Sequence, residues 1–321
     1  MPLETTSPPL RIGLLLDSLT QPRWVHRIVT QIQASACAHI ALVVLNGGAA
    51  GEQTAPPAGL RKLAAYRHDL LYLLYRKLDE RLFAPPGHAF EPADLAPLLG
   101  GCPTLTVHPV QKKYSDYLQP EDVAAIRAAG LDVVLRFGFR ILRGDFLKIA
   151  RCGVWSYHHG DNAVNRGGPP GFWEVMEGAP VTGTLLQVLS EQLDGGQVLY
   201  RSYAATDPHS VIRSKNAAYW KSAAFVLRKL TDLHAHGPQA LAHPNANGRF
   251  EPYSHRLYKQ PRNAEMLPLL WRWARRYAGA KLANALNTYQ WFLAYQTGPA
   301  AGLPPSLYRF KPITPPKDRF W

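Results

Sequence analysis

The sequence predicts an α/β fold in which helices cover both faces of a mostly parallel sheet, followed by a helical C-terminal extension. The chain opens with a buried strand over Leu10–Leu16, an amphipathic helix and a second buried strand over residues 40–45. This β-α-β order is typical of a parallel sheet. Strands and helices alternate to about Tyr203, whereas the chain beyond Gly237 turns first into an Asn-, Pro- and Gly-rich stretch and then into a strongly helical one.

The elements are predicted from their local patterns. The first strand is an apolar run apart from Arg11, typical of a strand buried on both faces. Residues 17–21 read as a polar turn, and Pro22 suits the first turn of a helix with apolar residues at helical spacing from Val25 to Ile32. The later predicted elements are helices over 59–82, 120–129 (closed by Gly130), 142–150, 172–177 and 211–234, and strands over 104–107, 131–137, 154–158, 181–189 and 197–203.

Composition bounds the class of protein. Apolar residues make up 46% of the 321 residues, enough for a large core, and only 18% are charged. The net charge of +13 favours an anionic substrate or cofactor, a nucleic acid or an anionic membrane surface, without choosing among them. Three widely spaced cysteines without a CxxC pair indicate reduced thiols in a cytoplasmic protein. The N-terminus lacks a signal-peptide pattern, and no apolar run approaches the roughly 20 residues that span a bilayer.

The residues that suggest chemistry lie between positions 137 and 199. Histidine is the side chain best able to act near neutral pH as acid, base or charged donor. Ser156 and His158 point to the same side of a predicted strand because strand residues alternate. They stand at the strand's carboxyl end, where ligands bind in open α/β sheets. Asp194, followed by two glycines, lies in a predicted loop that can approach a ligand closely.

Several segments in this region, in order and without a gap, resemble the folate-dependent formyltransferases. That family includes methionyl-tRNA, glycinamide ribonucleotide and sugar N-formyltransferases, and its pattern is Asn-x-His, a loop ending in Arg-Gly or Lys-Gly and a proline, a Thr-Gly strand and an Asp-x-Gly loop. The matching residues are His158, Arg166-Gly167, Pro170, Thr182-Gly183 and Asp194-Gly195-Gly196. The resemblance covers about residues 10–205 and is specific over about 131–199.

The resemblance implies a three-layer, Rossmann-like formyltransferase fold and an enzyme that transfers a formyl group from N10-formyltetrahydrofolate to an amine, without a metal. Phe139-Arg140-Ile141-Leu142 is similar to the family segment whose backbone grips the pterin ring. The implied cofactor-binding residues are Phe139, Arg140, Ile141, Leu142, Leu193 and Asp194.

The implied catalytic residues are His158, Asp194 and Ser156. His158 would stabilise negative charge on the formyl oxygen. Asp194 would raise the pKa of His158, orient it and help an ordered water remove the amine proton. Ser156 stands where the family has Asn, so a hydroxyl replaces an amide donor whose loss costs about 2.7–4 kcal/mol in the barrier. Asn162 or Asn165, in the following loop, is an alternative source of an amide.

Positive charge and the helical character of residues 264–295 favour a small anionic acceptor, such as a sugar nucleotide or glycan precursor, over initiator tRNA. The alternative function is a non-catalytic or repurposed formyltransferase-fold module that binds a ligand or acts as a scaffold, and Ser156 is its best support. The predicted parts are a catalytic domain over 1–237, a linker over 238–263, and a helical extension with a proline-rich tail over 264–321. The tail residues 310–321 are similar to the lead-in to a β-propeller domain, so we expect that a further domain follows.

Other interpretations of the same residues stay open. His158 and Asp194 could form a buried structural pair, and Arg140 could simply close a surface ion pair. His159 and Asp161 could join His158 as metal ligands, although adjacent strand residues point to opposite faces. The helical extension, with its tryptophans and arginines, could dock on a protein surface, lie in a membrane interface as a peripheral contact, or contact nucleic acid. The sequence does not indicate the oligomeric state.

Overall fold

The computed structural model of the chain describes residues 7–48, 66–112, 114–164, 166–193, 195–241 and 257–296, with residues 287–296 described by their backbone alone. The contacts of the chain divide it into two units, Met1–Leu270 and Trp271–Trp321. The sheet and the predicted site residues that the structure describes belong to the first unit.

The described residues include fourteen strands and the eight α-helices named below. In chain order the strands are β1 (Leu10–Leu16), β2 (Thr20–Pro22), β3 (Ala38–Asn46), β4 (Pro92–Asp94), β5 (Thr104–Val107), β6 (Val110–Gln111), β7 (Ser115–Tyr117), β8 (Val133–Arg136), β9 (Ile141–Leu142), β10 (Val154–His158), β11 (Arg166–Gly167), β12 (Val181–Val188), β13 (Gln197–Ala205) and β14 (Leu257–Tyr258). The helices are α1 (Arg23–Gln33), α2 (Leu70–Phe83), α3 (Ala96–Leu99), α4 (Pro120–Ala128), α5 (Phe172–Glu177), α6 (Val211–Ser222), α7 (Phe225–His236) and α8 (Asn263–Gln296). Two 3-10 turns span Gly144–Lys148 and Pro238–Leu241.

The main sheet has seven strands in the order β13-β12-β10-β8-β1-β3-β5. The five strands from β10 to β5 are parallel, and β12 and β13 add an antiparallel pair at the other edge. The mostly parallel sheet predicted from the sequence is therefore confirmed. Because the five parallel strands share one direction, their carboxyl ends meet at one edge and leave a crevice there.

Helices cover both faces of this sheet, which gives the predicted three layers. On one face Ile12 and Leu14 of β1 pack with the apolar side of α1 and with α6 and α7. On the other face Leu15 packs with Ile126 of α4 and with Phe146 of the first 3-10 turn. The alternation of these side chains along β1 explains why the strand is apolar from Ile12 to Leu16, whereas Arg11 near its start is exposed.

Most predicted elements lie where the sequence places them, and four differ. Of the helix predicted over 59–82, the structure shows α2 from Leu70, residues 67–69 form a turn, and residues 59–65 lie outside the described part of the chain. Residues 17–21 are not only a turn, because Thr20–Pro22 pairs with β4. The helix predicted over 142–150 is a strand, β9, followed by the 3-10 turn, since β9 pairs with β7 in a small second sheet. The helix predicted over 211–234 is two helices, α6 and α7. The hydroxyl of Tyr157 donates to the carbonyl of Ser222 at 2.8 Å, at the end of α6.

The last element of the described residues is α8, and the first residues of this helix belong to the first unit. The side chain of Asn263 accepts a hydrogen bond from the backbone N–H of Leu71, in the first turn of α2, at 2.9 Å. In the second unit the rings of Trp273 and Tyr277 stack with their centroids 5.5 Å apart. The predicted domain limits remain a prediction, and so do the three roles considered for this helix. Of the helices that the structure describes, none has the length and apolar character to cross a membrane.

Candidate active site at the ends of the central strands

A cavity of about 210 Å³ opens at the carboxyl ends of β8 and β10. Five of the residues that the sequence singled out contribute to its wall: Ile141, Leu142, Ser156, His158 and Leu193. They come from β9, β10 and the loop between β12 and β13, which are separate in sequence. The structure thus brings two of the three predicted catalytic residues and three of the six predicted cofactor-binding residues to one place.

Strand β10 sends its side chains alternately to the two faces of the sheet. Ser156 and His158 line the cavity, as predicted from their spacing. The ring of Tyr157 packs in the core of the opposite face, and His159 stacks on Tyr219 of α6 with centroids 3.5 Å apart. The two adjacent histidines therefore have separate surroundings.

Arg136, the last residue of β8, lies beside Ser156 in the cavity wall. Its Nη1 donates to Ser156 Oγ at 2.9 Å, and its Nη2 donates to the carbonyl oxygens of Phe139 and Arg140 at 3.0 and 2.9 Å. Burial lowers the pKa of this guanidinium, and the carboxylates of Asp17 and Asp116 oppose the shift. An arginine stays protonated in proteins, so the wall carries a permanent positive charge.

Sequence reasoning did not select Arg136, although a signal was present. It is the one charged residue within the apolar run Val133–Arg136 and its neighbours up to residue 139. A cation that ends a buried strand beside a predicted site is uncommon, because burying an unpaired charge is costly. A charged residue at the end of an apolar strand therefore indicates a residue of the site.

The turn after β8 is held in place by two carboxylates. Asp17 Oδ1 accepts from the backbone N–H of Phe139 at 2.8 Å, and Asp116 Oδ2 accepts from that of Arg140 at 2.9 Å. Phe139 has a φ of 64°, an uncommon conformation for a residue other than glycine. A Cβ on Gly138 would lie 2.4 Å from the backbone nitrogen of Asp17, so only glycine allows this approach.

The side chains of Phe139 and Arg140 do not line the cavity. Phe139 is buried in the core of the α4 face. The Arg140 guanidinium forms an ion pair with Asp116, with Nε 3.1 Å from Oδ1, and the Asp116 side chain is buried, so the pair differs from the surface ion pair considered for Arg140. Their carbonyl oxygens face Arg136, whereas Ile141 and Leu142 reach the cavity.

The loop after β10 is anchored to β12 and β13. Asp161 accepts from the hydroxyl of Tyr203 at 2.8 Å and forms an ion pair with Arg201 at 3.5 Å. A Cβ on Gly183 would lie 2.7 Å from that of Asp161, which explains the glycine of the Thr-Gly strand. Asn162 accepts from Arg201 at 3.2 Å and is fully buried, so its amide is not in the cavity wall.

Two residues of interest lie outside the described part of the chain: Asp194 and Asn165. The roles proposed for them remain predictions. Their described neighbours bear on the site, since Leu193 and Gly196 line the cavity. A Cβ on Gly196 would lie 2.0 Å from the carbonyl oxygen of Val188, so this loop needs a glycine to pack against β12.

The metal interpretation gains no support from the described residues. Within the ranges given above, no group of three or more His, Cys, Asp or Glu side chains could hold a metal ion. His159 is enclosed by aromatic rings, and burial lowers its pKa well below the usual range, with a further lowering from the nearby charges of His158 and Lys215.

Comparison with known proteins gives one consistent family. No protein-family model matches the chain. The methionyl-tRNA formyltransferase of Chlorobium limicola is 28% identical over 116 residues, which cover 36% of this chain and 36% of that protein. The methionyl-tRNA formyltransferase of Deinococcus radiodurans is 30% identical over 118 residues, which cover 36% of this chain and 37% of that protein.

Solved structures of the same kind are also found, at low similarity. Glycinamide ribonucleotide transformylase 1 of Symbiobacterium toebii has a TM-score of 0.41 at 15% identity, over 75% of this chain and 90% of that chain. Formyltetrahydrofolate deformylase of Burkholderia mallei has a TM-score of 0.46 at 11% identity, over 70% of this chain and 65% of that chain.

The sequence matches span only about a third of the length of the two methionyl-tRNA formyltransferases. The sheet and its flanking helices have the predicted architecture. Over these matched residues the chain is similar to methionyl-tRNA formyltransferases, and its mostly parallel, Rossmann-like sheet has the architecture that the resemblance implies.

Proposed function

We propose that the chain is an enzyme that transfers a formyl group from N10-formyltetrahydrofolate to an amine. The observation that carries this proposal is the meeting of Ser156 and His158 with Ile141, Leu142 and Leu193 around one cavity. A proton-transfer and oxyanion-stabilising group thereby lies beside an apolar surface able to hold a flat ring. Separate structural roles for these residues would not require that arrangement.

The cavity suits the pterin end of a folate. Ile141, Leu142 and Leu193 supply an apolar side. On the polar side, Gln187 Oε1 and Arg136 Nε are buried without a hydrogen-bond partner among the described residues. A buried acceptor and a buried donor that lack partners are costly, and a pterin edge offers both N–H donors and acceptors to satisfy them.

The bound folate would supply the formyl group, which leaves its N10 for the attacking amine as N10 gains a proton. The chain's own residues stabilise the negative charge that develops on the formyl oxygen. We assign this role to His158, with the Ser156 hydroxyl as a second donor held in place by Arg136. Asp194 would orient His158 and assist removal of the amine proton, as the family resemblance implies.

For the acceptor we propose a small anionic amine, such as an amino sugar on a nucleotide or glycan precursor. The support is charge: the chain carries +13, and Arg136 and Arg143 both line the cavity. Glu191 partly balances this, because its carboxylate lies 3.6 Å from the Arg143 guanidinium.

Calorimetric titration with 5-formyltetrahydrofolate, a stable stand-in for the donor, tests the proposal. Saturable binding should be weakened by His158→Ala and Asp194→Ala, while the exposed His39→Ala variant binds as the wild type does. If the wild type shows no binding at millimolar ligand, the formyl-transfer proposal fails. The alternative, a formyltransferase-fold module that serves as a scaffold, would then take its place.

A further inference from the structure

A second cavity, of about 240 Å³, lies between α2 and α6, and none of its residues lines the first. Tyr72 and Arg76 of α2 form one side, Lys215 of α6 forms the other, and Pro170 and Phe172 close one end. It lies on the side of the sheet that carries α1 and α6, opposite to Ser156 and His158. The proposed chemistry uses none of these residues.

Lys215 is the distinctive polar group of this cavity. Its Nζ lies 4.5 Å from the centroid of the Phe90 ring and 5.9 Å from that of Tyr219. Within the described ranges it has neither a hydrogen bond nor an ion pair. Burial lowers the pKa of its ammonium, as does Arg76, while Glu80 and Asp79 raise it. An ammonium held against aromatic rings without a carboxylate contact has capacity for an anion.

The nearby buried carboxylate is already engaged elsewhere. Asp79 Oδ2 accepts from the backbone N–H of Ile212, in the first turn of α6, at 2.7 Å. This bond satisfies an N–H that the helix itself leaves open. Asp79 therefore stabilises the start of α6 and is not the direct partner of Lys215.

Aromatic rings form the rest of the wall and are fixed by their neighbours. Phe172 contacts Tyr72 edge-to-face at 5.3 Å, and Phe90 contacts Tyr219 at 4.6 Å. Rings held in this way lose little freedom when a flat ligand packs on them. Arg76 lines the cavity together with Lys215, and Asp79 and Glu80 belong to the same wall. Two cations beside several fixed rings are suited to a ligand that joins a flat ring to an anion.

A row of aromatic rings lies on the α6 face of β10, on the side of the sheet opposite to Ser156 and His158. The ring of Tyr157 stacks on that of His159, which stacks on that of Tyr219, and Tyr219 contacts Phe90 edge-to-face. Because Phe90 lines the second cavity, this cavity borders the aromatic layer beneath α6.

We propose that the second cavity binds a nucleoside phosphate, with the phosphate on Lys215 and Arg76 and the base against Phe90 and Tyr72. This nucleotide site is separate from the proposed formyl-transfer site, and binding at it needs no folate.

Calorimetric titration of the full chain with UDP and ADP, without folate, tests the inference. We expect saturable binding, with uridine alone and orthophosphate alone each weaker by about tenfold or more. Lys215→Gln should lower nucleotide affinity by about tenfold or more, which corresponds to loss of a charge-assisted hydrogen bond. Lys215→Arg should keep most of the affinity, and Lys77→Gln, an exposed lysine of α2, should change nothing.

A second measurement needs no variant. Acetic anhydride acetylates lysines, and mass spectrometry reports the rate at each position. Bound UDP should slow acetylation of Lys215 and leave that of Lys77 unchanged. The inference is wrong if the wild type binds no nucleotide at millimolar concentration, if orthophosphate binds as tightly as UDP, or if UDP leaves Lys215 unprotected. Folate binding in the same preparation would then still support the proposed formyl transfer. Nucleotide binding without folate binding would instead refute formyl transfer and support the nucleotide site.

Discussion

The guanidinium of Arg136 donates a 2.9 Å hydrogen bond to the hydroxyl oxygen of Ser156, and both side chains line the candidate active site. Because arginine has donors only, the serine oxygen must be the acceptor in this pair. The serine proton is then directed elsewhere, and its protein acceptor, the carbonyl oxygen of Tyr157, is 3.4 Å away. A ligand oxygen in the cavity would be a better partner for that proton. Ser156, which stands where the resemblance implies an asparagine, is therefore oriented by Arg136.

If Arg136 and Ser156 act as one unit, their substitutions should not have additive effects. In a double-mutant cycle of Arg136→Met and Ser156→Ala, we expect a coupling energy of about 0.5–3 kcal/mol in formyl transfer to an amino-sugar acceptor. Arg151→Met, at an exposed ion pair with Asp132, is the control and should be additive with Ser156→Ala within about 0.5 kcal/mol. Equal coupling energies in both cycles would show that Arg136 and Ser156 do not act as one unit.

Ser156→Asn should raise the rate of formyl transfer. The new amide oxygen can accept from Arg136 Nη1, as the serine oxygen does, which would direct the amide nitrogen into the cavity as a donor. One such donor is worth about 2.7–4 kcal/mol in a barrier of this kind. Single-turnover assays with N10-formyltetrahydrofolate measure the change. If wild type and variant are both inactive while each binds folate, the fold serves as a binding module.

His158→Gln should lower the rate constant of formyl transfer by about 10²–10³-fold and leave the fold intact. The amide is neutral and lacks the imidazole's ability to carry a proton at neutral pH. His39→Gln, on the exposed side of β3, is the matched control. The thermal unfolding midpoint verifies folding of both variants. A His158→Gln enzyme as fast as the control would exclude His158 from the chemistry.

His159→Phe should stabilise the chain, most of all in mild acid. Both ring nitrogens of His159 are buried without a hydrogen-bond partner among the described residues, and burial lowers its pKa well below the usual range. The unfolded chain therefore binds a proton below about pH 6.5 that the folded chain does not, so stability falls as the pH falls. The variant loses this pH dependence and also the buried polar nitrogens, worth about 1–3 kcal/mol.

Urea unfolding at pH 7.5 and pH 5.5 measures this effect. The free energy of unfolding should drop less between the two pH values in His159→Phe than in the wild type. The exposed His39→Phe variant should keep the wild-type difference. A variant as acid-sensitive as the wild type would show that His159 is protonated in the folded state.

Gly138→Ala should destabilise the fold by about 1–3 kcal/mol and weaken folate binding. The added methyl would meet the backbone of Leu16 and Asp17, which cannot move without distorting β1. The turn that would shift instead leads to Ile141 and Leu142 in the cavity wall. Gly100→Ala is the control, since its methyl would meet nothing nearer than the carbonyl of Ala96 at 3.9 Å. Equal stability of the two variants would contradict the prediction.

The parts of this site that follow from sequence are those fixed by local periodicity. Alternation along residues 154–158 is enough to place Ser156 and His158 on one side, because a strand has a period of two. The parallel sheet follows from the β-α-β order, and β1 follows from an apolar run that only Arg11 interrupts. These features depend on neighbours in the chain, which the sequence shows directly.

The parts that do not follow depend on distant partners. Arg136 contacts Ser156, twenty positions further along the chain, because β8 pairs with β10. It also needs the carbonyl oxygens of a turn whose shape includes a positive φ at Phe139, which no local pattern announces. In place of the helix predicted over 142–150, Leu142 belongs to β9, which pairs with β7, and Gly144–Lys148 forms a 3-10 turn. Tertiary contacts outweigh propensity in each case.

The five residues of β10 face the cavity on one side of the sheet and the aromatic core on the other, and this limits how the length of the strand can vary. Insertion or deletion of one residue within it would turn every following side chain to the other face. His158 would enter the aromatic layer beneath α6, and His159 would enter the cavity beside Arg136. Point substitutions in the strand therefore alter one contact at a time, whereas a change in its length would remove the site and disorder the core together.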